Sequence, residues 1–94
     1  MSLAANPRER PRRELDLRGV FIRRTDLSGA NLERANLSGA DCSHVNFRGA
    51  NFRDAKLDGT ILKGADLTGA SNLTKAQIDR AVIDEKTLLP EELS

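Results

Sequence analysis

The sequence predicts an all-β solenoid, and two observations carry that expectation. From Leu15 onward an apolar residue recurs every five positions, at Leu17, Ile22, Leu27, Leu32, Leu37, Cys42, Phe47, Phe52, Leu57, Leu62 and Leu67. Two residues ahead of each apolar centre stands a small or β-branched residue: Val20, Thr25, Ala30, Ala35, Ala40, Val45, Ala50, Ala55, Thr60 and Ala65, with Leu15 opening the series and Ala70 closing it. Both positions must face one interior. A period of five fits neither the 3.6 residues of a helical turn nor the two of a strand, so neither an amphipathic helix nor a hairpin sheet keeps them inside. The chain therefore turns a corner every five residues, and units of that size bury a core only by stacking on one another.

Composition points the same way. Ninety-four residues make one domain with a modest core, and three Phe with no Trp or Tyr leave few large anchors for a two-layer fold. The net charge of +1 gives no global field toward nucleic acid or membranes, though its distribution is uneven: +2 over residues 1–14, +1 over 15–71 and −2 over 72–94. One cysteine, Cys42, excludes an intramolecular disulfide and a multi-cysteine metal site, and implies a reducing compartment with the cytoplasm as default. The N-terminal stretch lacks the apolar region of an export signal, and no run reaches the length of a transmembrane helix.

Residues 1–14 are rich in Arg and Pro, with Met1, Leu3, Ala4 and Ala5 as their only apolar material, and are expected to form a mobile arm. From Leu15 the pentads read LDLRG, VFIRR, TDLSG, ANLER, ANLSG, ADCSH, VNFRG, ANFRD, AKLDG, TILKG and ADLTG. The second position is mostly Asp or Asn, side chains that tolerate turns and hydrogen-bond nearby backbone. This pattern resembles the pentapeptide-repeat family, with its A(D/N)LXX consensus, over residues 15–71. The resemblance implies a right-handed quadrilateral parallel β-helix with four pentads per coil, and nearly three coils here.

A twenty-residue coil can be tested within the sequence, because residues i and i+20 would then be neighbours on adjacent coils. Glu33 falls over Arg53 and Arg34 over Asp54, opposite charges in both cases. Glycines 19, 39, 59 and 29, 49, 69 fall into two corner columns, with Gly64 in a third. Three pentads depart from the consensus: Phe21 and Ile61 bring large apolar groups, and Lys56 a charge, to the outward second position. Phe21 and Ile61 share a face two coils apart, and mark either an interface or the bed of a terminal segment.

After Ala70 the repeat stops. Thr74 with Gln77 forms a capping box, and Leu73 with Ile78 a hydrophobic staple, which predicts a helix over about residues 75–82. Leu73, Ala76, Ile78, Val82, Ile83, Leu88, Leu89 and Leu93 are then expected to cover the end of the last coil, so that residues 72–94 form a cap. The first coil has no comparable cover, and its open edge predicts a homodimer through the N-terminal end.

No catalytic or metal constellation emerges. Cys42 falls at an inward centre and His44 at an outward corner, whereas a metal site or Cys–His dyad needs both on one side. Asp residues recur because the repeat wants Asp or Asn before its centre, and no phosphate loop or hydrolase motif occurs. No cofactor is expected. The chief surface feature is a basic stripe, Arg23, Arg24, His44 and Lys63, on the face of Phe21 and Ile61; it reads either as a partner surface or as a solvated wall. The expected function is non-enzymatic protein interaction or scaffolding, with an unknown protein partner. Binding of nucleic acid or acidic surfaces is the alternative. Some pentapeptide-repeat proteins inhibit type II topoisomerases such as gyrase by mimicking DNA, which needs a longer and more acidic rod than this one.

Overall fold

The computed structural model describes residues 14–93; of the expected arm, residues 1–14, all but Glu14 lie outside the described residues, as does Ser94. The chain winds with a period of twenty. Parallel β-bridges join Asp16 to Asn36 to Lys56, Phe21 to Asp41 to Ile61, Asp26 to Asn46 to Asp66, and Asn31 to Asn51 to Ser71. Four ladders thus run up four faces, and the second residue of every pentad is the bridging one. In every pentad from 15 to 69 except that of Leu57, the central N–H donates to the segment stacked next, as Leu37 does to the Lys56 carbonyl at 2.9 Å. The N–H of the second residue donates to the turn before, as Asn36 does to Leu15 at 2.8 Å.

The preference for Asp or Asn now has a cause. At Asp16, Asp26, Asn31, Asn36, Asp41, Asn46, Asn51 and Asp66 the side-chain oxygen accepts the backbone N–H two residues on, at 3.0–3.2 Å, and so occupies a donor that the ladder leaves over. Corners follow at once: the fifth residue is left-handed, with φ of +67° to +71° at the glycines. Arg24, Arg34, His44, Asp54 and Asn72 adopt φ of +57° to +64° as well. The glycine columns of the sequence mark two corners, but all four have this geometry. Asp54, set over Arg34 by the register, makes its ion pair with Arg53 next door, at 4.0 Å.

Centres and small residues point inward together. Leu37, Cys42, Phe47, Phe52, Leu62 and Leu67 are fully buried, Leu32 and Leu57 nearly so, and Phe47 and Phe52 meet edge to face at 5.2 Å. Thr60 is buried too, its hydroxyl donating to the Leu37 carbonyl at 2.7 Å. Leu17, Ile22 and Leu27 depart from the expectation of uniform burial, being only partly buried. They are the first three centres of the first turn, which no further turn covers among the described residues; Leu32, the fourth, is already buried.

The opposite end is closed. Helix α1, Lys75–Arg80, starts at Thr74 with the full capping box and ends two residues before the sequence suggests. The chain then rejoins the ladders: Val82 bridges Ile61 and Leu88 bridges Asp66. Leu73 and Ile78 are buried, and Ala81, Leu89 and Leu93 pack against the core. Ala76, Val82, Ile83 and Leu88 are instead exposed. Val82 and Leu88 occupy the outward ladder position, so they cover the last turn with backbone and not with side chains.

Candidate interaction face

The face built from pentads 20–24, 40–44 and 60–64 gathers the residues singled out in the sequence. Its outward ladder runs Phe21, Asp41, Ile61, Val82. Phe21 is 82% exposed, the most solvent-accessible large apolar side chain among the described residues. Ile61 is not its equal. Flanked by Asp41 and Val82, it is partly buried, so the C-terminal segment accounts for its apolar character and the exposed pair reduces to Phe21.

The basic groups differ in how freely they can act. Arg23 lies 3.8 Å from Asp41, whose carboxyl is held below its ordinary range by hydrogen bonds from Ser43 and by the nearby charges of Arg23 and His44. Arg24 projects from a left-handed corner, and Lys63 is exposed. His44 occupies the corner above; its imidazole lies against Gly64, where a β-carbon would overlap the ring. The Gly64 N–H in turn donates to Asp84 Oδ1 at 3.0 Å. The stripe is therefore interrupted by Asp41 and bounded by Asp84.

Cys42 and His44 face opposite ways, as their spacing requires: the thiol is buried, with its pKa pushed up to about 12 by desolvation and by Asp41, while the imidazole is exposed. No group of three or more His, Cys, Asp or Glu residues able to hold a metal occurs among the described residues. Shallow depressions beside α1, lined by Lys56, Asp58, Ala76, Gln77 and Arg80, are open to solvent. No helix of the described chain is long and apolar enough to cross a membrane.

Sequence reasoning missed the polar fastening of the cap. Gln77 accepts from the Thr74 N–H at 2.7 Å and donates to the carbonyls of Phe52 and Ala55, both at 2.9 Å. Thr87 Oγ1 lies 2.8 Å from the Leu62 carbonyl. The capping box was the visible signal for Gln77; nothing local announces Thr87, because its partner is 25 residues away.

A stack of parallel ladders with a period of twenty residues defines a β-solenoid repeat protein. The pentapeptide-repeat family model matches in 8 copies over residues 16–54 and 46–83, and the chain belongs to that family. Among solved structures, it resembles trypsin-treated QnrB1 M102R, a plasmid-mediated fluoroquinolone resistance protein, with a TM-score of 0.60 at 19% identity over 74% of this chain and 35% of that one. The pentapeptide-repeat protein Rfr23 from the cyanobacterium Cyanothece 51142 matches at 26% identity over 79% of this chain and 63% of that one, with a TM-score of 0.37. The chain thus spans about a third of the first structure and under two thirds of the second. No curated protein matches the sequence.

Proposed function

We propose that the chain is a non-enzymatic protein-binding module of the cytoplasm, a right-handed quadrilateral rod of nearly three coils that offers the Phe21 face to a protein partner. The observation that carries this reading is Phe21 itself. It stands, 82% exposed, at a position where the repeat otherwise favours Asp or Asn, whose side chain would satisfy the local turn. An aromatic there forgoes that bond and exposes apolar surface, a combination that favours an interface anchor. Arg23, Arg24, His44 and Lys63 around it supply a polar, basic rim suited to a partner with an acidic margin.

Binding of nucleic acid or another acidic surface through the stripe is the second reading. Arg24 and Lys63 favour it; the Arg23–Asp41 pair and the lack of further exposed aromatics weaken it. Topoisomerase inhibition by DNA mimicry draws on likeness of fold to a resistance protein, and the near-neutral charge argues against it. Affinity capture from native-host extract tests the main reading. Wild type is compared with Phe21→Asn/Arg24→Asn/Lys63→Thr, whose fold is checked by circular dichroism. A partner retained by wild type and lost by the variant supports the reading; equal recovery, or none, overturns the assignment of this face.

A further inference from the structure

Among the described residues, no turn precedes the first one, residues 15–34. In the turns above it the second residue of each pentad points its N–H and carbonyl back toward the preceding turn, as Asp41 does to Val20 and Ile22, and Asn46 to Thr25 and Leu27. In the first turn the same groups of Asp16, Phe21 and Asp26 meet no such neighbour among the described residues. Leu17, Ile22 and Leu27 are left partly exposed behind them, and Leu15 is 49% exposed. Among the described residues this edge therefore carries main-chain donors and acceptors without a ladder partner over an apolar lining, a template for pairing.

We propose that this end is a self-association surface, through which two copies of the chain meet end to end about a two-fold axis. Geometry selects the pairing. Each pentad begins about a quarter-turn further along the solenoid, so the four edges of the first turn stand at successive heights. Under a two-fold axis across the end, the gap is uniform only if the lowest edge (15–19) faces the partner's highest (30–34) and the two middle edges (20–24 and 25–29) face each other.

The facing strands are antiparallel, and setting centre against centre places Ile22 opposite the partner's Leu27 and Leu17 opposite the partner's Leu32. The Phe21 N–H then meets the carbonyl of the partner's Ser28, and the Arg23 carbonyl meets the N–H of the partner's Asp26. In that register Arg23 also lies beside the partner's Asp26, an opposite-charge cross-strand pair made twice by symmetry. Asp16 comes opposite the partner's Glu33, with its charge already offset by Arg18 at 2.8 Å.

In the sequence, the stretch that leads into the first turn, NPRERPRR, has no aliphatic or aromatic side chain, and its two prolines lack the N–H of a ladder donor.

Sedimentation equilibrium on the full chain tests this at moderate salt. A monomer–dimer equilibrium is expected, with Arg23→Asp and Asp26→Arg each weakening association tenfold or more, and the combined variant regaining most of it. Should Asp26→Arg disturb the turn, Asp26→Asn keeps the acceptor for Ser28 and is expected to weaken the dimer while leaving the circular dichroism spectrum of the folded chain unchanged. A monomer at every concentration, a dimer indifferent to these changes, or a dimer formed only after deletion of residues 1–13 would overturn the proposal.

Discussion

The side-chain amide of Gln77 donates to the carbonyl oxygen of Phe52 at 2.9 Å, and with the same nitrogen to Ala55 at 2.9 Å, while its oxygen accepts from the N–H of Thr74. One side chain therefore caps the helix and fastens it to the last turn. Gln77→Ala is expected to lower stability by about 1–3 kcal/mol, since it strands partly buried carbonyls. Gln77→Glu should cost a similar amount, because a carboxylate keeps the acceptor but cannot donate. Urea unfolding monitored by circular dichroism measures both, and a change below about 0.5 kcal/mol would show that apolar contacts alone hold the cap.

Gly64 and Gly39 share a left-handed backbone but differ in surroundings: Gly39 has open space where a β-carbon would go, and Gly64 has His44. Alanine at either position is expected to cost about 1–2 kcal/mol from the backbone alone. Gly64→Ala should cost more than Gly39→Ala, and the excess should vanish when His44→Ala is present. Thermal unfolding of the four variants measures the coupling.

Acid should unfold the protein from its turns. Hydrogen bonds from the Arg18 side chain and backbone lower the Asp16 pKa from 3.8 to about 2, and those from Ser28 lower that of Asp26. At Asp66 and Asp84 burial opposes ionisation, yet hydrogen bonds from Thr68 and Arg48, and from Gly64, Lys86 and Thr87, outweigh it and lower both. A carboxyl with a depressed folded pKa stabilises the fold above its unfolded value and loses that contribution as pH falls through the folded one. The melting temperature should accordingly be flat above about pH 5 and fall between pH 4 and 2. Asp26→Asn, which keeps the acceptor without the charge, should flatten that decline, and a decline unchanged in the variant would count against the account.

The repeat was legible because its period is incompatible with helix and strand, and because Asp or Asn recurs wherever a turn N–H needs an acceptor. The capping helix was legible from Thr74 and Gln77, whose spacing is local. What escaped were features set by register over long separations. Val82 and Leu88 look like core residues in the sequence, yet the ladders they join turn them outward. Ile61 looks like the twin of Phe21 until Val82 is placed beside it. The half-exposure of Leu17, Ile22 and Leu27 depends on what lies over the first turn, which no repeat pattern encodes.

The most direct test of the Phe21 face is site-specific photo-crosslinking. A photoreactive phenylalanine analogue is placed at position 21, and as control at position 53, an exposed site on another face, and both proteins are irradiated in native-host extract. The account predicts an adduct with a foreign protein from position 21 and none from 53. Equal labelling from both positions, or adducts only with a second copy of the chain, would contradict the claim that this face receives a protein partner.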